Sequence, residues 1–153
     1  MVLGDTDTGK STLIKYLICK FIDTNTSISL VDSDVGQSSL GLPGTVCSKV
    51  FMTEKDYNDF VYKKICFVGT VNPSKNIKSS IHCTTLLTHY CREKTDVVLI
   101  DTTGLIAGNY GNALKIGKIK SINPTNIVAL QQNDELEHLL AHIENATIHR
   151  LTV

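Results

Sequence analysis

The sequence contains no tryptophan, only three prolines and two methionines among 153 residues, and no excess of charge of either sign. Fifteen basic side chains balance fifteen acidic ones, which gives an isoelectric point near 6.9. Because no bulk positive field surrounds such a chain, any binding of nucleic acid has to come from a local patch. The ordinary composition also excludes a disordered tail, a collagen-like repeat and a disulfide scaffold.

Long apolar runs are missing as well. The wholly apolar stretches span only a few residues, as at 97–100, whereas a helix needs roughly 20 to cross a bilayer. The apolar N-terminus is interrupted at residues 4–7 and has no basic region, unlike a signal peptide. We therefore expect a soluble, cytoplasmic protein without a membrane partner.

The cysteines form no CxxC pair, which argues against a zinc knuckle or a thioredoxin-type site. Their odd number and wide spacing favour reduced, mostly buried thiols, as in cytosolic proteins. The five positions are Cys19, Cys47, Cys66, Cys83 and Cys91.

Short β-branched runs alternate with longer helical stretches along the chain. This alternation predicts an α/β fold, in which helices cover both faces of a mostly parallel sheet in three α/β/α layers, as one domain over residues 1–153. The predicted strands are 2–3, 28–31, 46–52, 65–68, 97–100, 127–130 and 148–153. The predicted helices are 10–21, 76–92, 112–122 and 134–143, the last with Asn133 as its N-cap.

One segment fits the pattern GxxxxGK[ST] in full and predicts the phosphate loop of a P-loop NTPase. Glycines let the backbone wrap around phosphate oxygens, and the following helix N-terminus adds positive potential. Lys10 is then expected to reach the β- and γ-phosphates, and the Ser11 hydroxyl to coordinate Mg²⁺. The segment consists of Gly4, Asp5, Thr6, Asp7, Thr8, Gly9, Lys10, Ser11 and Thr12.

Acidic residues follow two of the predicted strands. Asp32 and Asp34 come at the end of the second strand, and Asp101 follows the apolar run at 97–100, as in a Walker-B strand. Ligands of open α/β sheets bind at the carboxyl ends of the strands. One carboxylate of the first pair is therefore a candidate to hold Mg²⁺ and take a proton from an attacking hydroxyl, and Asp101 is a second candidate metal ligand.

Together these segments resemble the polynucleotide 5′-hydroxyl-kinase family of P-loop proteins. That family includes the kinase-like subunit of the mRNA cleavage and polyadenylation machinery, the pre-rRNA-processing kinases and prokaryotic relatives. The most specific part is residues 31–45, where Asp-Val-Gly-Gln is followed by Pro-Gly-Thr. Residues 67–76 and 101–106 extend the resemblance, and residues 113–119 with 127–131 are most similar to prokaryotic members.

The resemblance implies transfer of the γ-phosphate of ATP, with Mg²⁺, to the 5′-hydroxyl end of RNA or DNA. It implies catalytic roles for Lys10, Asp34 and Gln37, with Asp34 orienting or deprotonating the hydroxyl. Metal binding is expected at Ser11, Asp34 and Asp101. The expected substrate contacts are Thr70, Asn76, Thr102, Thr103 and Gly104.

In the family, a lid that follows the strand at residues 148–153 supplies a mobile arginine. This sequence has only Arg92 and Arg150, for which a capping or solvated role is expected. We therefore expect the chain to be the catalytic core of a larger kinase, either cut at both ends or naturally minimal, that lacks part of its first strand and the C-terminal lid. We expect weak or absent kinase activity from this chain by itself.

Five lysines in or next to two predicted helices have two interpretations. They are expected to form either a local patch for a phosphate backbone or an ordinary solvated helix face. The residues are Lys75, Lys78, Lys115, Lys118 and Lys120.

Two other functions stay open at this point. Residues 101–104 would also suit the γ-phosphate sensor of a GTP-dependent, metallochaperone-like switch. Such proteins read guanine with an NKxD-like motif, and the corresponding stretch at 129–134 has no lysine. A non-catalytic module that binds ATP as a structural element is the second alternative.

Overall fold

The computed structural model of the protein describes residues 1–59 and 61–153. Its strands are β1 (Val2–Gly4), β2 (Ile28–Ser33), β3 (Thr45–Phe51), β4 (Lys64–Phe67), β5 (Val97–Thr102), β6 (Asn126–Gln131) and β7 (Thr147–Thr152). Its α-helices are α1 (Lys10–Asp23), α2 (Glu54–Asn58), α3 (Ile77–Arg92), α4 (Gly108–Ile122) and α5 (Glu137–Leu140). A 3₁₀ turn covers Pro73–Lys75.

The strands form two hydrogen-bonded groups that lie side by side. One group has the order β1-β6-β7 and is parallel throughout. The other has the order β4-β3-β2-β5, in which β2 and β5 are parallel and β3 and β4 are antiparallel to their neighbours. Between the groups, the Thr102 hydroxyl of β5 donates to the Val2 carbonyl of β1 at 2.8 Å. The α/β fold with a mostly parallel sheet is therefore confirmed.

Alternate residues of the central strands supply two cores, because successive side chains of a strand point to opposite faces. Leu30 and Leu99 belong to the core beneath α1. Val31 and Ile100 belong to the core beneath α3, α4 and α5. Helices thus cover both faces, and the three α/β/α layers follow from the strand pattern. In residues 1–59 and 61–153, no helix combines the length and apolar character of a membrane crossing.

Two helix predictions need correction. The helix expected at 134–143 is only α5, and its N-cap is Leu136 rather than Asn133. The carboxylate of Glu135 accepts the main-chain N–H groups of Gln132 and Asn133, which holds this stretch in a turn. Helix α2 was not predicted, since its five residues are too few to show a helical period.

The cysteine prediction is wrong for two of the five residues. Cys66 on β4 and Cys83 on α3 form a disulfide, which ties an edge strand to the helix that packs on it. Cys47 and Cys91 are buried free thiols, as expected, and Cys19 is half-buried. The partners of the disulfide are 17 residues apart, so only the packing of α3 against β4 brings them together.

Candidate phosphate-binding and catalytic site

The phosphate loop connects β1 to α1 with the backbone that its glycines predict. Gly9 is the N-cap of α1 and has a φ of 83°, a left-handed conformation that favours glycine. Lys10 begins the helix, is only 7% exposed, and donates from Nζ to the main-chain oxygen of Asp5. The lysine ammonium group thus lies across the loop, at the position where phosphate oxygens would be received.

The expected metal ligands Ser11 and Asp101 are in direct contact. The Ser11 hydroxyl donates to Oδ2 of Asp101 at 3.1 Å, across a separation of 90 residues. Hydroxyl and carboxylate oxygens are the ligands that Mg²⁺ prefers. This donor set therefore fits a magnesium ion at the start of α1 and the end of β5.

The electrostatics of Asp101 also suit a cation. Asp101 lies opposite Asp32 in the parallel ladder of β2 and β5. Burial, followed by the negative charge of Asp32, raises the pKa of Asp101 from 3.8 to about 6. A divalent cation at this point would offset the excess negative charge and favour the ionised carboxylate.

The two carboxylates of the second strand have different roles. Asp32 is fully buried, and its Oδ2 accepts hydrogen bonds from Ser38, Ser39 and Leu40, so it holds the loop that follows β2. Burial raises its pKa even though these donors favour the charged form. Asp34 is only partly buried, and this is the carboxylate that lies on the wall of the site.

Asp34 is fixed by its own loop. Its Oδ1 accepts the main-chain N–H groups of Gly36 and Gln37, both at 3.0 Å. This turn sets the direction of the carboxylate without help from a distant side chain. The Asp-x-Gly-Gln spacing noted in the sequence therefore has a local physical reason.

A cavity of about 290 Å³ brings these parts together. It joins three segments of the chain, which are the phosphate loop, the turn with Asp34 and Gln37, and the loop with Gly104. Its lining consists of Thr6, Asp7, Gly9, Lys10, Ser11, Thr12, Asp34, Gln37 and Gly104. A cavity of about 670 Å³ between β1 and β5 contains no phosphate-loop residue, so its size does not make it the site.

Two of the expected substrate residues shape the segment that borders this cavity. The Asn76 side chain donates to the Val68 carbonyl at 2.9 Å and caps α3 by accepting from Ser79. The Thr70 hydroxyl is engaged with the main chain of Asn72. Neither residue lines the cavity, although the segment they shape packs against Gly36, next to the Asp34 turn.

The three residues of the Thr102–Gly104 segment differ in whether they reach the cavity. The Thr102 side chain is fully buried and its hydroxyl lies between Val2 and Lys115. Thr103 is also buried, at 4% exposure. Only Gly104 lines the cavity, where it lies directly against Thr6 of the phosphate loop.

Neither interpretation of the basic residues holds for Lys115 and Lys118, which are 0% and 1% exposed. Burial lowers the pKa of Lys115 well below its usual value and that of Lys118 to about 8. Lys75, Lys78 and Lys120 are exposed. The sequence contained a signal for the burial of Lys118, because Leu114, Lys118 and Ile122 follow a helical period that places this lysine on the apolar stripe.

The raised pKa of Asp101 predicts a pH dependence in the protein without metal or nucleotide. The folded state holds the carboxyl proton more tightly than the unfolded state, so stability falls as the pH rises from about 4 to 6. Asp101→Asn should remove this loss and raise the free energy of unfolding at pH 7 by about 2–3 kcal/mol. Urea denaturation in EDTA across this pH range measures the effect.

Asp96→Asn is the control with the opposite sign. The Ser27 hydroxyl and N–H donate to Asp96 and lower its pKa, so this substitution should reduce stability above pH 4. If Asp101→Asn is no more stable than the natural protein at pH 7, the electrostatic description of Asp101 is wrong.

The contact between Gly104 and Thr6 predicts an effect on nucleotide affinity. In Gly104→Ala the new Cβ would lie 2.3 Å from Thr6 Oγ1 and 2.5 Å from its main-chain N, so the phosphate loop has to shift. Overpacking of about 1–3 kcal/mol should weaken ATP binding about tenfold or more, as measured by isothermal titration calorimetry. Gly117→Ala crowds only the flexible end of Ile81 and should leave ATP affinity unchanged; equal losses in both variants would contradict the prediction.

Comparison with known proteins finds relatives that align with nearly the whole chain. The chain is 38% identical over 152 residues to a polyribonucleotide 5′-hydroxyl-kinase of Pyrococcus horikoshii, which covers 97% of the chain and 41% of that protein. It is 37% identical over 149 residues to a polyribonucleotide 5′-hydroxyl-kinase of Methanocaldococcus jannaschii, with 95% and 40% covered. A protein described as CLP1 homolog 5 of Arabidopsis thaliana is 30% identical over 150 residues, with 89% and 34% covered.

The chain thus spans about 40% of the length of the archaeal relatives it matches. Residues 4–153 also match the family described as mRNA cleavage and polyadenylation factor CLP1 P-loop. This match begins at the first glycine of the phosphate loop and includes every residue of the candidate site. The resemblance to this group of P-loop proteins is confirmed, and the chain belongs to the CLP1 P-loop family.

Proposed function

We propose that this protein catalyses the ATP-dependent phosphorylation of 5′-hydroxyl ends of RNA. The observation that carries the proposal is the single cavity that both the phosphate loop and Asp34 line. A phosphate donor and a hydroxyl acceptor both have to reach such a site. The relatives named polyribonucleotide 5′-hydroxyl-kinases support RNA as the acceptor, and DNA ends are the alternative acceptor with the same 5′-hydroxyl.

The phosphate side of the reaction is assigned to the residues of the loop. Lys10 would leave the Asp5 carbonyl and bind the β- and γ-phosphates, while the main-chain N–H groups of residues 5–10 surround them. Mg²⁺ held by Ser11 and Asp101 would offset charge on the phosphates. Phosphoryl transfer depends mainly on positioning and charge neutralisation, which these groups supply.

The hydroxyl side is assigned to Asp34. Its carboxylate lies on the cavity wall and is oriented by two main-chain donors. It is placed to accept a hydrogen bond from the attacking hydroxyl and to take its proton as the new bond to phosphorus forms. Gln37, on the same turn, would contact the nucleotide or the hydrated metal.

The two arginines serve other contacts. Arg92 donates to the Asn123 carbonyl at the end of α4, and Arg150 forms a bidentate ion pair with Glu137. Among the described residues, positive charge at the phosphates therefore comes from Lys10 and the loop amides. The segment at residues 68–76 packs against Gly36, two residues after Asp34, and is the proposed contact surface for the RNA strand.

The proposal is tested by transfer of labelled γ-phosphate from ATP to a 5′-hydroxyl oligoribonucleotide, with the full-length natural polypeptide. Lys10→Ala should lower the rate by about 10²–10³-fold, because a preorganised charge that stabilises the transferred group is lost. Asp34→Asn should lower kcat by about 10²–10⁴-fold while ATP affinity stays close to that of the natural protein. Lys20→Ala, an exposed lysine on the same helix, should change neither quantity.

Other outcomes would redirect the assignment. ATP binding without transfer to RNA or DNA would indicate a nucleotide-binding module instead of a kinase. Selective, tight binding of GTP would favour the switch protein. Equal transfer to an oligodeoxyribonucleotide would show that the acceptor is the 5′-hydroxyl of either nucleic acid.

A further inference from the structure

Helix α4 places two lysine ammonium groups in the interior, directly beneath the proposed active site. Transfer of a charged amine from water to a protein interior is costly unless the group finds partners. Lys115 and Lys118 are 0% and 1% exposed, and both have such partners at the carboxyl ends of the central strands. Their contacts differ, and together they join three strands.

Lys118 joins α4 to β2 and, through β2, to β5. Its Nζ donates to the Ser33 hydroxyl at 2.9 Å and to the Ser33 carbonyl at 3.3 Å. The Ser33 hydroxyl in turn donates to the Asp101 carbonyl at 2.5 Å. Ser33 is the residue between Asp32 and Asp34, so this chain of bonds fixes the backbone on which the proposed base is carried.

Lys115 joins α4 to β5 and, through β5, to β1. Its Nζ donates to the Thr102 hydroxyl at 2.8 Å and to the main-chain oxygen of Thr103. The Thr102 hydroxyl donates to the Val2 carbonyl at 2.8 Å. Gly4, the first residue of the phosphate loop, lies two residues after Val2. The hydroxyl of Thr102 therefore links the metal side of the site to the strand that carries the loop.

The side-chain links through Thr102 and Lys115 connect β1 to β5 in place of a backbone hydrogen-bond ladder. β1 and β5 belong to separate hydrogen-bonded groups of the sheet, yet the phosphate loop and Asp101 have to keep a fixed separation to share one phosphate chain. An amine donates two hydrogen bonds in its charged and in its neutral form, so the links at Lys115 exist in both states. At Lys118 the carboxylates of Asp34, Asp32 and Asp101 favour the charged form.

We propose that Lys115 and Lys118 are positioning residues for phosphoryl transfer, which hold the ends of β1, β2 and β5 at the separation that the reaction requires. This inference rests on the proposed kinase function. Neither lysine is among the residues that line the cavity of the proposed site, so neither is assigned a contact with the reacting atoms. Their effect passes through Ser33 to Asp34, and through Thr102 to the phosphate loop.

The test replaces each lysine by methionine, which keeps the unbranched stem and removes the donors. Lys120→Met, at an exposed position of the same helix, is the matched control. Lys115→Met and Lys118→Met should lower kcat about 10–100-fold, because small misplacements of reacting groups are costly. ATP affinity, measured by equilibrium binding, should change less than about threefold, since the loop amides and Lys10 remain.

A second readout does not depend on activity. Amide hydrogen exchange at residues 32–37 and 101–104 should become about tenfold faster in the two lysine variants, whereas exchange in β7 should stay unchanged. If either variant does not fold, Ser33→Ala removes the hydroxyl that Lys118 and Asp101 share and should give a smaller loss of kcat in the same direction.

The outcomes separate this inference from the proposed function. If the natural protein transfers no phosphate, the kinase proposal fails, and the exchange measurement alone decides whether the lysines fix the strand ends. If the natural protein is active and the folded variants have unchanged kcat, the inference is wrong. A parallel loss of kcat, ATP affinity and exchange protection throughout the sheet would show a general structural role instead.

Discussion

The parallel pairing of β2 with β5 is the constraint on which the rest of the site depends. Its register places Asp32 opposite Asp101 and Ser33 opposite Thr102, so both strands end together. Parallel strands bring their carboxyl ends to one edge of a sheet, where the following loops converge. The Asp34 turn leaves one strand there and the Thr102–Gly104 segment leaves the other. A slip of one residue would turn every one of these side chains to the opposite face.

This register concentrates negative charge at one edge of the sheet, and groups that interact with it approach from two directions. From the solvent side, Ser11 and Asp101 offer a place for Mg²⁺ next to the phosphate loop. From the interior, Lys115 and Lys118 reach the same strand ends through Thr102 and Ser33. Buried ion clusters contribute little to stability because desolvation offsets their attraction. The proposed role of the two lysines therefore concerns the geometry of the site rather than the stability of the fold.

The sequence predicted the parts of the site that are local in the chain. The phosphate loop is contiguous, its glycines and Lys10 stand at fixed spacings, and the strand before Asp101 is a plain apolar run. The alternation of strands and helices likewise predicted the layers. What it could not predict depends on distant partners. Lys118 lies on an apolar stripe of the sequence, but its partner Ser33 and the burial of Lys115 become evident only when α4 is packed on the sheet. Cys66 is near Cys83 only because α3 packs against β4. Asn133 fits the N-cap pattern in the sequence, but its main-chain N–H donates to the Glu135 carboxylate and α5 begins after Leu136.

Thr102 shows that residues of one family motif can differ in role according to the contacts of their individual atoms. The resemblance implies substrate contact for residues 102–104 as a group, but burial separates them. The Thr102 hydroxyl donates to Val2 and accepts from Lys115, and the residue is fully buried. RNA could reach this hydroxyl only if the surrounding strands and α4 moved apart, and leaving a buried polar group unsatisfied costs about 1–3 kcal/mol. The segment therefore has an inner residue that holds the strands together and an outer residue, Gly104, that closes against the phosphate loop.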